Sequence, residues 1–124
     1  MQLNLERPDY TFFLRGADGA QALVNDRSLT RSFIIAPDAL IEDWPMHTAR
    51  AMVPADLEPL LALKPELIVL GTGATQVFPV TAVMAACLSR GIGFEVMDNA
   101  AAARTFSVLA GEGRRVVAGF ILTH

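Results

Sequence analysis

The stretch with the most chemical promise is Gly71-Thr72-Gly73-Ala74-Thr75-Gln76. Glycines let backbone N–H groups come close to a ligand, and a helix starting just beyond them favours negative charge. Thr72, Thr75 and Gln76 add side-chain hydrogen-bonding groups. The chemistry suggested is anion or nucleotide binding. The stricter patterns are not met. A dinucleotide turn needs a third glycine where Gln76 stands, and a phosphate loop needs a lysine that this stretch lacks. Five residues also separate Gly73 from Pro79, more than a tight dinucleotide turn uses. The plain alternative is a structural strand-to-helix connection.

Asp98 and Asn99 follow a second apolar run, Phe94-Glu95-Val96-Met97. If that run pairs in parallel with Leu67–Leu70, both turns emerge on one sheet edge, where open α/β sheets bind ligands. Helix capping is the plainer reading of the same pair. Arg104 lies off the apolar face of the following helix and could answer a carboxylate or phosphate; a solvated surface arginine is the default. The candidate ligand- or partner-binding set is therefore Gly71, Thr72, Gly73, Thr75, Gln76, Asp98, Asn99 and Arg104.

Little else in the chain suggests chemistry. His47 and His124 have no cysteine, histidine or carboxylate at ligand spacing, so no metal site is expected. No Ser-His-Asp arrangement is evident. Cys87, the single cysteine, falls on a helical core face and reads as a small buried hydrophobe. Trp44 beside Pro45 reads as a core anchor. Arg114 and Arg115 could answer Glu112 or a partner, but adjacent strand residues point to opposite faces and make a poor joint clamp. No catalytic residue and no cofactor is assigned.

The elements that must position these residues divide the chain near residue 53. Residues 1–53 read as a β-rich meander. Tyr10–Leu14, Ala22–Val24 and Ser32–Ala36 have strand composition, and Leu40–Trp44 reads as a further extended piece. Gly16–Gly19, Asn25-Asp26 and Pro37-Asp38 are turns. Residues 54–124 change character. Asp56 is a plausible N-cap for a short helix through Leu57, Leu60 and Leu61, stopped by Lys64-Pro65. Leu67–Leu70 is a strand buried on both faces. Pro79 can open a helix with Val80, Val83, Met84, Cys87 and Leu88 on one buried face. Ala102, Ala103, Phe106, Leu109 and Ala110 repeat that pattern. Arg115–Leu122 is a last strand long enough to lie centrally. The expected fold is α/β: a single three-layer domain over 1–124, the meander followed by β-α-β-α-β on a mixed central sheet.

Composition bounds the rest. The chain has 124 residues, 52% of them hydrophobic and 19% charged, which describes a compact globular protein. No apolar run approaches the roughly 20 residues of a membrane span. Met1–Glu6 has neither a basic nor an apolar leader region, so no signal peptide is expected, and the single cysteine fits a reducing, cytoplasmic location. Net charge is −3, which disfavours broad nucleic-acid binding. The charge is uneven, −4 over residues 1–66 and +1 over 67–124. Oligomeric state is not readable.

An ordered set of segments carries a resemblance. These are Pro65-Glu66-Leu67-Ile68-Val69-Leu70-Gly71-Thr72-Gly73, Phe78-Pro79, Gly91–Asp98, Ala103-Arg104-Thr105-Phe106 and Glu112-Gly113-Arg114-Arg115-Val116. Together they resemble a family of small domains of unknown function whose eukaryotic relatives include mitochondrial complex I assembly factor 3 and an adipogenesis-associated protein. The resemblance implies a three-layer α/β fold with additional β structure. It implies no established catalytic residue and no cofactor. Where members often carry Thr, Cys and Asn, this chain has Asn99, Ala103 and Ser107, which argues against cysteine chemistry at 103. A non-enzymatic protein-interaction or assembly role is implied by analogy. The alternative is a small anionic-ligand binder or enzyme using the glycine turn.

Overall fold

The computed structural model describes residues 11–123. Tyr10, the Met1–Glu6 segment and His124 lie outside that range. The strands are β1 (Leu14–Ala17), β2 (Ala22–Val24), β3 (Arg27–Leu29), β4 (Phe33–Ala36), β5 (Ala39–Ile41), β6 (Leu67–Gly71), β7 (Gly93–Met97) and β8 (Val116–Phe120). The α-helices are α1 (Glu58–Leu61), α2 (Thr81–Leu88) and α3 (Asn99–Gly111), with 3₁₀ turns at Ala49–Ala51 and Pro54–Leu57.

The strands form two sheets. β1-β2-β3 is a small antiparallel sheet, and the central sheet has the order β5-β4-β8-β6-β7. β6 is parallel to both β7 and β8, and β8 is antiparallel to β4. The sheet is therefore mixed, and β8 lies at its centre, as its length and apolar composition predict. The expected meander is shared between the sheets. Only β1–β3 stay together, while the β4–β5 hairpin extends the central sheet. β3 has no apolar alternation, and nothing in its sequence announces a strand.

Alternate residues of the central strands feed two cores. Phe33, Ile35, Val69, Val116, Ala118 and Phe120 point to the face covered by α3 and the small sheet. Ile34, Ile68, Leu70, Val117 and Ile121 point to the face covered by α1, α2 and Trp44. This is the three-layer α/β arrangement. Phe33 and Phe120 stack with ring centroids 5.1 Å apart, across the β4–β8 pair. Trp44, 4% exposed, lies against Gly119, where no side chain has room: an added Cβ would stand 2.6 Å from its ring.

Local structure departs from the sequence reading in several places. β5 spans Ala39–Ile41 and stops short of Trp44, and β8 spans Val116–Phe120, inside the expected Arg115–Leu122. β1 begins at Leu14 and runs through Gly16 and Ala17, so the turn starts at Asp18. There the Asp18 carboxylate accepts the N–H groups of Ala20 and Gln21, which hold its pKa below the usual carboxylate value. Asp56 does not cap α1. It closes the 3₁₀ turn by accepting the Val53 N–H at 2.8 Å, and α1 follows with Pro59 in its first turn. α2 begins at Thr81, with Pro79 two residues outside. The loop before it is pinned at Gln76 and Val77, and Phe78–Val80 are spent reaching the helix. Val80 and Leu88 are also not buried, at 50% and 55% exposure. α2 covers the edge strand β7, and there only Val83 and Cys87 are fully enclosed.

Arg114 and Arg115 both lie just before β8, outside the strand the sequence assigns to Arg115, and they take different partners. Arg114 hydrogen-bonds Glu66 at 2.5 Å, and Glu112 adds a weaker electrostatic attraction. Arg115 bonds Asp38 at 2.6 Å and the carbonyl of Leu63, tying the β4–β5 turn to the end of α1.

Candidate functional site

Parallel pairing of β6 with β7 and β8 brings three strand ends to one edge. Gly71 lies level with Met97 and Phe120. β6 leads to β7 through α2 and β7 leads to β8 through α3, on opposite faces of the sheet. The carboxyl end of β6 is thus the crevice where a doubly wound sheet takes a ligand. The sequence places Gly71–Gln76 and Asp98-Asn99 there correctly.

The crevice is filled by the chain itself. The Asn99 side chain is fully buried. Its Oδ1 accepts the Gly73 N–H at 3.1 Å, and its Nδ2 donates to Asp18 at 2.8 Å and Ile121 at 3.0 Å. Its own backbone N–H donates to the Gly73 carbonyl at 2.8 Å. Asn99 therefore binds together the β6 turn, the end of β8 and the β1–β2 turn of the small sheet. Gly19 of that last turn packs on Ala74, where an added Cβ would come within 2.9 Å of the alanine methyl. Gly71 has no room for a side chain either, since a Cβ would meet the Asn99 amide and the Phe120 ring.

Most of the remaining polar groups are spent in the same way, while Thr75 is exposed. The Thr72 hydroxyl donates to the Thr75 carbonyl at 2.7 Å and accepts the Val77 N–H at 2.9 Å. The Gln76 amide donates to the Val96 carbonyl at 2.8 Å. Asp98 caps α3 by accepting the Ala101 N–H at 2.8 Å. Among the described residues, no buried side-chain nitrogen or oxygen lacks a hydrogen-bond partner. Buried donors aimed into empty space mark a preformed anion site, and this crevice presents none from its side chains. Of the eight candidates, Gly71, Thr72, Gly73, Thr75, Gln76, Asp98 and Asn99 come together at one edge. Arg104 does not join their network. It is exposed on the outer side of α3.

Cys87 is fully buried, and desolvation pushes its thiol pKa up, with Arg90 opposing. Burial is the larger effect, which leaves a thiol and not a nucleophilic thiolate. Ser107, one of the positions where the chain departs from the resemblance, donates to the Leu14 carbonyl and anchors α3 to β1. Among the described residues no cluster of three His, Cys, Asp or Glu side chains is arranged to hold a metal. No helix among them is long and apolar enough to cross a membrane.

Two surface features were not singled out by the sequence reading. One is apolar. Phe78, Val80 and Leu88 are 61%, 50% and 55% exposed. They belong to the run Val77–Leu88, twelve residues without a charge. That run was visible in the sequence, but its helical period assigned Val80 and Leu88 to the core. The other is a hollow of about 440 Å³ between the β3–β4 connection and the 43–47 loop, lined by Arg31, Asp43, Pro45, Met46, His47 and Leu122 among others. Its residues come from three distant stretches, which no local pattern connects.

The model of the family described as "Protein of unknown function (DUF498/DUF598)" matches residues 15–121. Among solved structures, the chain is similar to a Xanthomonas campestris protein determined by NMR. The two are 56% identical, with 98% of this chain and 92% of that one covered and a TM-score of 0.84. A Bordetella parapertussis crystal structure is 28% identical over 92% of this chain and 98% of that one, TM-score 0.84. A Bordetella pertussis protein described as a Mth938-like domain shares the fold at 24% identity and TM-score 0.77, over 98% of this chain and 92% of that one. Nothing among curated proteins matches the chain.

Proposed function

The chain belongs to the DUF498/DUF598 family of unknown function, and from that premise we propose that it is a non-enzymatic protein-interaction or assembly module of the cytoplasm, acting as one domain. The observation that carries this reading is the outward-facing apolar surface at the start and outer side of α2. Phe78, Val80 and Leu88 stand clear of the core. Thr81, Ala85 and Leu88, at i, i+4 and i+7, share the exposed side of the helix. Exposed aromatic and aliphatic side chains from an uncharged run have the make-up of an interface centre. The exposed Ala74, Thr75 and Gln76 lead directly into Phe78 and extend the surface. In this reading the buried members of the glycine turn hold its shape, and its exposed members touch a partner. The reading as an anionic-ligand site is disfavoured because Thr72, Asp98 and Asn99 are already engaged.

The test compares partners captured from native lysate by the wild-type chain and by Phe78→Ser with Leu88→Ser. Both side chains are more than half exposed, so the variant should lose little stability, within about 1 kcal/mol. Reproducible partners that the folded variant fails to capture support the reading. Partners retained in full by the variant, or none at all for the wild type, count against it.

A further inference from the structure

We propose that the hollow beside Arg31 is a binding site for a small carboxylate carrying an apolar body. It lies away from α2, at the β4–β8 side of the central sheet, and is independent of the interaction surface above.

Its size fits the task. About 440 Å³ lies within the roughly 300–1,000 Å³ of small-molecule sites. Its floor is rigid and has no unmet polar demand. The Ser32 hydroxyl, buried beneath it, donates to the Met46 carbonyl at 2.7 Å and accepts the Leu122 N–H at 3.0 Å. One side chain thus fixes the 43–47 loop to the end of β8. Trp44, which also lines the hollow, is held by Gly119 on one side and by its indole N–H on the Asp56 carbonyl. Pro45 presents exposed apolar surface, Met46 and Leu122, 6% and 3% exposed, line the hollow behind it, and Arg31 presents a charge.

Arg31 Nη1 lies 3.0 Å from Asp43 Oδ1, with the two side chains 78% and 67% exposed. An ion pair so open to water contributes little. It nonetheless keeps the guanidinium at the mouth of the hollow. A second hollow of about 150 Å³, lined also by Arg27 and Glu42, meets the first at this same pair. The guanidinium is therefore reachable from both sides. A planar fork of N–H donors matches a carboxylate in two parallel bonds. A ligand carboxylate would take the place of Asp43 while its apolar body covers Pro45, Met46 and Leu122. His47 at the rim supplies a further polar contact. Asp43 then acts as an internal competitor, holding the arginine when no ligand is bound.

That role gives the two partners of one ion pair opposite effects. In a titration of labelled protein followed by amide chemical shifts, phenylacetate should perturb residues 31–32, 43–47 and 122, with a Kd on the order of 1 mM for a ligand of that size. Arg31→Gln should weaken binding about tenfold, the scale of one charged hydrogen bond. Asp43→Asn should tighten it about threefold by removing the competing carboxylate. Asp43 has φ of 65°, a conformation asparagine also tolerates, so the loop survives that change. Phenylacetamide and acetate, lacking the charge and the apolar body, should each bind at least about tenfold more weakly. Absence of shifts at several millimolar phenylacetate, shifts located elsewhere, Arg31→Gln binding like wild type, or Asp43→Asn weakening binding would each overturn the proposal.

Discussion

Asn99 is the residue on which the crevice depends, and its replacement provides a quantitative test. Asn99→Ala removes three hydrogen bonds, to Gly73, Asp18 and Ile121, from a fully buried site. At about 1 kcal/mol each the loss is about 3 kcal/mol, rising toward 5 where the abandoned groups find no water. Against a total stability of about 5–15 kcal/mol this is severe. It corresponds to a fall in Tm of about 12 °C, taking about 4 °C per kcal/mol for a chain of this size. Asn99→Asp separates hydrogen bonding from size. One carboxylate oxygen can still accept from Gly73, but the other faces two carbonyl oxygens. Burial and that missing donor raise the folded pKa of the new carboxyl above its unfolded value of about 3.9. The penalty is therefore full at neutral pH and relieved as pH falls, because protonation supplies one O–H donor. Urea unfolding at pH 7 should rank wild type above Asn99→Ala and Asn99→Asp lowest, with only the Asp variant gaining stability toward pH 5. A loss below about 1 kcal/mol for Asn99→Ala, or an Asp variant with no such gain, would refute the view that this side chain locks three segments together.

Two further outcomes follow from the packing and the charges. Gly119→Ala should cost about 1–3 kcal/mol in chemical unfolding, because its methyl collides with the Trp44 ring in a packed core; Gly16→Ala, with no atom within 4 Å of the added carbon, should change stability by less than about 1 kcal/mol. Arg115 hydrogen-bonded to Asp38 lowers the carboxyl pKa from its usual value, so that contribution is present above about pH 4 and lost as pH falls through the folded value; in Asp38→Asn, unfolding curves should lose a small increment at pH 7, under about 1 kcal/mol for so exposed a pair, and show a shallower decline in acid.

Legibility in the sequence varied with the range of the interactions involved. Leu67–Leu70, Phe94–Met97 and the apolar stripe of α3 were readable because their periodicity reports the side of the chain they bury. Asp98 was readable as a cap because capping reaches only three residues along the chain. The edge shared by residues 71–76 and 98–99 followed from two parallel strands. The filling of that crevice by the chain itself did not follow. Asn99 bonds to Asp18, eighty-one positions away in the chain, and neither residue type announces the other. The same limit applied to α2. Its residues are apolar on nearly all sides, so periodicity could not say which of them face the core. Only its position over the edge strand β7 left Val80 and Leu88 outside.

By itself the sequence determined the kinds of element in the second half, the buried status of Cys87 and Trp44, the mixed α/β class and the absence of a complete phosphate-binding pattern. These properties rest on local propensity and on how apolar residues repeat. The tertiary structure decided how the N-terminal strands divide between two sheets, which residues plug the carboxyl end of β6, and where surface hydrophobes and the Arg31 hollow lie. Those depend on contacts between distant stretches, whose partners are chosen by packing and hydrogen-bond satisfaction in three dimensions. Gly71-Thr72-Gly73, read alone, has the composition of a ligand cradle; packed against Asn99, Gly19 and Phe120, it is a closed joint of the fold.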